Sequence, residues 1–263
     1  MRKVVSKDGT AIAFDKTGQG PAIILVGGAL SARSAAAPLA LLLAARFTVF
    51  AYDRRGRGDS GDTAPYAVEC EVEDIDALIK EAGGTAFVLG HSSGAVLALE
   101  AAARGLAITR LALFEPPFIV DDSRPPVPND YVAQVNELVS AGRRGDAVEF
   151  FMTQAVGVPD DLVAQMRGMP MWAAMEKVAH TLAYDGKIMG DNMAGHSLQA
   201  NQWASVTIPT LVMDGGASPV WMRNAARALA DILPHAQYHT VEGQMHDVAP
   251  EALAPVLVEF FRG

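Results

Sequence analysis

The most constraining feature of the chain is a serine with a glycine two residues to either side, placed between two apolar runs. Residues 86–89 are all apolar and favour a buried strand, and residues 94–103 are rich in Ala and Leu and favour a helix. Between them, Ser92 is flanked by Gly90 and Gly94. Where a strand turns sharply into a helix, a Cβ at the flanking positions would strike a neighbouring element. The pattern therefore predicts a strand, a tight turn with Ser92 at its corner, and a helix.

Such a corner residue is held in a strained backbone conformation, and its side chain projects above the sheet. The hydroxyl of Ser92 is then expected next to the positive end of the following helix and beside the free N–H of Ser93, which can receive an oxyanion. This arrangement is a nucleophile elbow. The spacing alone is weak because glycine and serine are common, but the strand before it and the helix after it strengthen the signal. We therefore predict that Ser92 is a nucleophile.

Strand-like and helix-like segments alternate along most of the chain. The predicted strands are residues 3–6, 10–15, 22–26, 47–52, 86–89, 110–114, 209–214 and 237–241. The predicted helices are residues 35–45, 71–82, 94–103, 220–233 and 250–261. This alternation favours an α/β fold with a parallel sheet and helices on both of its faces.

The alternation stops in the middle of the chain. Residues 119–205 open with a proline-rich stretch, show helical patterns and contain no convincing strand. We therefore expect one core domain formed by residues 1–118 and 206–263, with residues 119–205 as a helical insertion. The length of 263 residues suits one domain with such an insertion.

Charge and cysteine content exclude several classes of partner and cofactor. The net charge of −9 repels phosphate backbones and anionic lipids, so neither nucleic acid nor a membrane is an expected partner. Cys70 is the single cysteine, which excludes an internal disulfide framework and a zinc site built from several thiolates. The first residues lack a signal-like apolar stretch, and no run is long enough to span a membrane, so a cytoplasmic protein, monomeric or homodimeric, is expected.

Four segments, in order, resemble the α/β-hydrolase family. Residues 27–28 stand where the family has its oxyanion loop, residues 52–60 resemble the loop after the fourth strand, and residues 90–94 resemble the elbow. Residues 242–246 are similar to the loop that carries the catalytic histidine. The resemblance implies a mostly parallel eight-stranded sheet flanked by helices, with a helical cap inserted after the sixth strand.

A serine hydroxyl is a poor nucleophile near neutral pH and needs a general base, for which histidine has a suitable pKa. The resemblance implies that His246 is this base, because it lies in a glycine-containing loop between the last strand and the last helix. His91 belongs to the elbow, and we expect its side chain to point away from the site. The remaining histidines flank a predicted strand or fall in the insertion: His235, His239, His180 and His196.

The acid of the triad departs from the commonest family pattern. That pattern has an aspartate before a proline after the seventh strand, where this chain has Ser218, which lacks the charge to stabilise an imidazolium. Some relatives take the acid from the end of the sixth strand, and Glu115 occupies that place. A carboxylate there needs a buried partner, and a histidine N–H is suitable. We predict Glu115 as the acid, with Asp214 the first alternative and Asp121 or Asp122 next; otherwise Glu115 caps a local turn.

Two backbone donors are expected to form the oxyanion hole. One is the N–H of Ser93, and by resemblance the other is the N–H of Ala29. Gly27 stands where the family usually has a histidine, which leaves open which of Gly28, Ala29 and Leu30 directs its N–H inward. The charged loop at residues 54–60 is expected to brace the elbow through hydrogen bonds and ion pairs.

The insertion is rich in soft, flexible side chains: Met152, Met166, Met169, Met171, Trp172, Met175, Met189 and Met193. Thioethers suit an adaptable apolar pocket, although helix packing explains any single methionine equally well. Among them we predict Trp172, Met175 and Met189 as substrate contacts. Together they favour an apolar acyl or ring-shaped substrate over a sugar or a phosphate ester.

The sequence therefore predicts a serine hydrolase that cleaves a small or medium apolar carboxylic ester or lactone through an acyl-enzyme, with no metal or organic cofactor. A serine at the elbow argues against dehalogenase and epoxide-hydrolase chemistry, which use an aspartate there in this family. Two alternatives remain. One is cleavage of a carbon–carbon bond or a cofactor-free lyase step on the same fold, and the other is a ligand sensor with a slow or vestigial triad.

Overall fold

In the computed structural model, which describes residues 1–263, eight strands form one sheet in the order β1-β2-β4-β3-β5-β6-β7-β8. The strands are β1 Arg2–Val5, β2 Ala11–Thr17, β3 Ala22–Val26, β4 Thr48–Tyr52, β5 Ala86–His91, β6 Ile108–Phe114, β7 Thr210–Gly215 and β8 Ala236–Val241. The pairs β1–β2 and β2–β4 are antiparallel, and every other pair is parallel. The predicted mostly parallel eight-stranded sheet is thus confirmed.

Helices cover both faces of this sheet. The helices are α1 Ala37–Leu43, α2 Val68–Glu81, α3 Ser93–Ala103, α4 Tyr131–Ser140, α5 Arg144–Phe150, α6 Asp160–Met166, α7 Pro170–Lys177, α8 Leu182–Met189, α9 Val220–Ile232 and α10 Pro250–Arg262. One hydrophobic cluster joins the sheet to α2, α3 and α9, and another joins its opposite face to α1 and α10. None of the helices is both long and apolar enough to cross a membrane.

The observed elements follow the predicted ones closely. β3 has the predicted bounds, and most other ends differ by one to three residues. β5 runs two residues further than its apolar run, to His91, because the neighbouring strand β6 continues to pair with it. α1 is shorter than predicted because a 3₁₀ turn, Arg33–Ala36, precedes it and a proline opens the helix proper.

The chain between β6 and β7 is helical. It contains α4 to α8 together with short 3₁₀ turns and one π-helical turn, Phe151–Val156, and it contains no strand. These helices bury a hydrophobic cluster of their own, separate from the two clusters of the sheet. α8 also packs against α2 and α3, since Ile188 and Met189 belong to the hydrophobic cluster of those helices. The helical segment is thus joined to the rest of the chain through α8.

Candidate active site

The chain turns from β5 into α3 at Ser92, whose backbone has φ 57° and ψ −129°. A Cβ on Gly90 would come within 2.5 Å of the Cα of Ala95, and a Cβ on Gly94 within 2.3 Å of the carbonyl oxygen of Val26. Contacts this short exclude any side chain at the two flanking positions. Both glycines are thus required by the close approach of β3 and α3 at this corner.

Backbone strain is concentrated around the same point. Only three residues other than glycine have positive φ: Leu30 at 57°, Ser92 at 57° and Glu115 at 46°. Leu30 and Ser92 line one cavity, and Glu115 is bonded to His246, which lines it too. Such conformations are costly and tend to persist at functional sites. The strain therefore marks this region independently of any sequence motif.

Glu115 and His246 are directly bonded. Nδ1 of His246 donates to Oε2 of Glu115 at 2.7 Å, and Oε1 accepts the backbone N–H of Gly215 at 2.8 Å. Burial works to raise the pKa of the Glu115 carboxyl, but His246, followed by the hydroxyl of Ser218 and the backbone N–H of Gly215, outweighs it and holds that pKa below its ordinary value. The carboxylate is ionised and keeps the proton on Nδ1, which leaves Nε2 as the basic nitrogen.

Ser92 and His246 border the same cavity. No direct hydrogen bond joins the Ser92 hydroxyl to the imidazole, whose ring makes its bond to Glu115. Such contacts are commonly long before substrate binds. The loop predicted to bear an oxyanion donor lies against the serine, since a Cβ on Gly28 would come within 2.9 Å of the Ser92 Cβ. Ser93 and Ala29, the predicted oxyanion donors, also line the cavity.

The position of His91 contradicts the sequence-based expectation that its side chain points away. Its ring lies 4.7 Å from that of His246 and 5.6 Å from that of Phe114, measured between centroids. Its Nε2 lies 2.9 Å from the carbonyl oxygen of His246. Burial, followed by the nearby charge of His246, lowers the pKa of His91 to about 4. A neutral His91 therefore donates to the backbone of the loop that carries His246.

The alternative acids have other partners. Asp214 is fully buried and accepts a hydrogen bond of 2.6 Å from the hydroxyl of Tyr238. Asp121 accepts one of 2.7 Å from the side-chain amide of Asn224, and Asp122 is exposed. None of these three carboxylates bonds to the imidazole.

The cavity measures about 780 Å³, and 23 of its 35 lining residues are hydrophobic. Met175 and Met189, two of the predicted substrate contacts, are among them. Seven methionines line it in all: Met152, Met166, Met171, Met175, Met189, Met193 and Met222. No lysine or arginine lines it, and no group of three or more His, Cys, Asp or Glu side chains is arranged to hold a metal ion. The cavity thus suits an apolar, uncharged molecule.

Trp172, the third predicted contact, does not line this cavity. Its side chain is buried among the helices between β6 and β7, where its indole N–H donates to Oε1 of Glu176 at 3.0 Å. It packs over Gly145 of α5, and the guanidinium of Arg167 lies 5.7 Å from its ring centroid. The structure therefore places Trp172 in the packing between these helices and does not bring it to the cavity with the other two predicted contacts.

The charged loop after β4 braces the elbow, as predicted, with an unpredicted partner. Arg54 lies 3.3 Å from the hydroxyl of Ser93 and forms a two-pronged ion pair with Glu71. Asp185 on α8 bonds Arg54, Arg57 and Ser93. The sequence carried no signal for Asp185, because α2 alone offers more carboxylates than the loop has arginines.

The fold and this constellation define a class, and the family comparison agrees. Residues 23–256 match the model of the alpha/beta hydrolase family, so the chain belongs to that family. It is therefore an enzyme of the hydrolase type. The match includes Ser92, Glu115 and His246 within its bounds.

Several named proteins are similar to this chain. An alpha/beta hydrolase of Sphaerobacter thermophilus, known from a crystal structure, is 63% identical over 99% of this chain and 100% of its own, with a TM-score of 0.92. The 2-(acetamidomethylene)succinate hydrolase of Mesorhizobium japonicum is 26% identical, covering 92% of this chain and 88% of its own. The N-formylmaleamate deformylase of Pseudomonas putida is 38% identical over 104 residues, 38% of this chain and 39% of its own.

Proposed function

We propose that the protein is a serine hydrolase that cleaves a small or medium apolar carboxylic ester or lactone through an acyl-enzyme. Ser92 is the nucleophile, His246 the general base and Glu115 the acid that orients the imidazole. The backbone N–H groups of Ala29 and Ser93 form the oxyanion hole.

One observation carries the proposal: the buried Glu115–His246 hydrogen bond of 2.7 Å lies beside a strained serine at the wall of an apolar cavity. A carboxylate that fixes the Nδ1–H tautomer leaves Nε2 facing away from it, ready to accept a proton. A serine whose backbone is held at positive φ is presented to the cavity at the head of a helix. Together these features support acyl transfer more than any other chemistry.

The reaction follows from these positions. The hydroxyl oxygen of Ser92 attacks the carbonyl carbon while His246 takes its proton, and the negative charge that forms on the carbonyl oxygen is held by the two N–H groups. Collapse of this intermediate releases the alcohol, which receives the proton from His246. Water, activated by the same imidazole, then hydrolyses the acyl-enzyme and restores Ser92.

The cavity lining supports an uncharged substrate. The succinate and maleamate in the names of two relatives are carboxylates, and such substrates need a cationic side chain. No lysine or arginine lines the cavity of this chain, and Asp247, a carboxylate that does, would repel an anion. Flexible methionines allow the wall to fit acyl groups of different shape.

We further propose that residues 119–205 form a cap domain over a core of residues 1–118 and 206–263. Met175 and Met189, from two helices of this segment, line the cavity that also borders Ser92. Substrate therefore reaches the serine between the cap and the carboxyl ends of the strands. On this proposal the cap and the core share the apolar wall, and the core supplies the reacting groups.

The test is the pre-steady-state release of p-nitrophenol from short-chain p-nitrophenyl esters. We expect a burst with an amplitude equal to the enzyme concentration, which Ser92→Ala abolishes. Ser31→Ala is the matched control, because Ser31 also lines the cavity, and its hydroxyl bonds only to a backbone carbonyl. Tight binding of the ester with only a few turnovers would identify a ligand sensor. An enzyme that does not turn over simple esters would instead be a carbon–carbon hydrolase or a lyase.

A further inference from the structure

Asp185 is a buried carboxylate for which the proposed reaction has no use. It lies on α8, between β6 and β7, and is 4% exposed. Its Oδ1 accepts hydrogen bonds from Arg54 at 2.8 Å and from the hydroxyl of Ser93 at 2.7 Å. Its Oδ2 accepts one from Arg57 at 2.7 Å. One helical side chain thus holds the residue after the nucleophile and two arginines of the loop after β4.

The same two arginines hold the oxyanion loop. Nη1 of Arg57 donates to the carbonyl oxygen of Gly28 at 3.0 Å, and Nη1 of Arg54 lies 3.3 Å from that of Gly27. Both guanidinium groups are almost completely buried, so these carbonyls are held without competition from water. Asp185 therefore connects both sides of the oxyanion hole through one set of bonds.

The bond to Gly28 determines the direction of the next N–H. In a trans peptide the C=O of one residue and the N–H of the following residue point in opposite directions, and the Gly28–Ala29 peptide is trans. The carbonyl of Gly28 also accepts the backbone N–H of Ser31, at the longer distance of 3.4 Å. Because Arg57 holds this carbonyl on the protein side, the N–H of Ala29 points away from Arg57. Ala29 lines the cavity, and Gly28 lies against Ser92. This bond therefore favours Ala29 as the loop donor.

We propose that Asp185 is a positioning residue for the oxyanion hole. It acts through Arg57 on the peptide that bears the N–H of Ala29, and through the hydroxyl of Ser93 on the residue that bears the second donor. The inference rests on the proposed function and deepens it. Since Asp185 belongs to α8, the hole is complete only when this helix is docked on the core.

The charges in this cluster are balanced, which makes Asp185 irreplaceable by a neutral group. Two guanidinium groups, Arg54 and Arg57, face two carboxylates, Glu71 and Asp185. Without the charge of Asp185, Arg57 keeps only the carbonyl of Gly28 and the hydroxyl of Thr181 at 3.2 Å. A buried guanidinium without a counter-charge moves toward water or another acceptor, and the Gly28 carbonyl moves with it.

The experiment compares Asp185→Asn with Asp74→Asn. Asp74 is fully buried and pairs with Arg55 of the same loop at 2.7 and 2.8 Å, and none of Arg55's bonds reaches the serine, the histidine or the oxyanion loop. We expect both variants to unfold at lower temperature. Only Asp185→Asn should lower kcat, by on the order of 10²-fold, when kcat is calculated per active site counted from the burst amplitude. KM should stay nearly unchanged. An equal kcat for the two variants would overturn the proposal.

A second readout does not depend on turnover. An aryl trifluoromethyl ketone adds to the serine and places an oxyanion in the hole, whereas the matching methyl ketone is bound without this charge. Asp185→Asn should weaken binding of the trifluoromethyl ketone by the same factor by which it lowers kcat/KM. Binding of the methyl ketone should be unchanged. Arg57→Lys, which cannot span both Gly28 and Asp185, should behave likewise. Equal weakening of both ketones would assign Asp185 a purely structural role.

The two failures are distinguishable. If the wild-type protein gives no burst, or Ser92→Ala keeps the activity, the proposed function is wrong. The comparison of the two ketones still reports on the oxyanion hole in that case. The adduct forms when Ser92 attacks the trifluoromethyl ketone, and its formation does not require turnover. If the burst is present and depends on Ser92 while Asp185→Asn affects neither kcat nor the ketone ratio, only the positioning role is wrong.

Discussion

Glu115 and His246, 131 positions apart in the chain, are joined by a hydrogen bond of 2.7 Å between a fully buried carboxylate and Nδ1 of the imidazole. The glutamate follows β6 and the histidine follows β8, so the bond crosses the end of β7. The backbone N–H of Gly215 on β7 holds the second oxygen of the carboxylate at 2.8 Å. The pair is thus fixed by three strands of the sheet.

Replacing the carboxylate tests its assigned role. We expect Glu115→Gln to lower kcat by roughly 10³- to 10⁴-fold, because the amide can no longer hold the Nδ1–H tautomer or stabilise the imidazolium. Asp214→Asn is the matched control: it removes an equally buried carboxylate that bonds Tyr238 and should lower stability while keeping kcat. Steady-state kinetics and circular dichroism of both variants measure the changes in kcat and in folding. A large loss of kcat in Asp214→Asn alone would show that Asp214, and not Glu115, is the acid.

His91 predicts a pH dependence of stability. Its pKa is about 4 in the folded protein and 6.5 ordinarily, so between these values only the unfolded chain binds a proton there. Stability is therefore complete above about pH 6.5 and falls as the pH drops toward 4, by up to about 3 kcal/mol.

His91→Gln should remove this part of the loss, because the amide keeps a donor for the His246 carbonyl and does not titrate. Urea unfolding of both proteins at neutral pH and at mildly acidic pH measures the difference. Parallel losses in the two proteins would show that His91 is not the titrating group.

Met189 tests the cavity wall. Met189→Ala should enlarge the cavity and shift the preference in kcat/KM toward longer p-nitrophenyl esters, at a cost of about 2–5 kcal/mol in unfolding free energy. The residue is 4% exposed and lines the cavity, whereas Met169 is 50% exposed and does not. Met169→Ala is therefore the control and should leave both properties unchanged. An unchanged chain-length profile in Met189→Ala would place the acyl group elsewhere.

Trp172 and Met175 test which residues of α7 contact the substrate. Trp172→Phe removes the indole N–H bonded to Glu176 and should lower the unfolding free energy by about 1–2 kcal/mol without changing KM. Met175→Ala, one turn further along the same helix, should change KM because Met175 lines the cavity. Thermal unfolding and ester kinetics compare the two variants. A KM that rises several-fold in Trp172→Phe would support the sequence-based prediction that Trp172 contacts the substrate.

The sheet was predictable because most of its strands coincide with runs of apolar residues. Residues 22–26 and 110–114 are apolar over most of their length, as strands covered on both faces must be, and glycines or prolines end the runs. The same rule placed Glu115 directly after β6, whereas its assignment as the acid came from the resemblance to relatives that take the acid from the end of the sixth strand. What the sequence supplied was therefore the order of the elements and the residues at their ends.

Side-chain directions on short helices were not predictable. Trp172 and Met175 lie on the same helix three residues apart, yet only Met175 meets the cavity. The tryptophan lies near Gly145 of α5, and its indole N–H is bonded to Glu176. His91 likewise depends on how the loop carrying His246 packs over it. Such choices are set by contacts between segments distant in sequence, and Asp185 was missed for the same reason.

An acid that follows β6 has a consequence for the connection between β7 and α9. The backbone N–H that holds Glu115 comes from Gly215, the last residue of β7, where a Cβ would come within 2.4 Å of the carbonyl oxygen of Gln244. Within the connection itself, residues 216–219, the hydroxyl of Ser218 helps to keep the Glu115 carboxylate ionised. No side chain of residues 216–219 lines the cavity, whereas Trp221 and Met222 at the start of α9 do. Substrate range can therefore be recast, by evolution or by an engineer, in the first turn of α9, while Gly215 and Ser218 stay as they are.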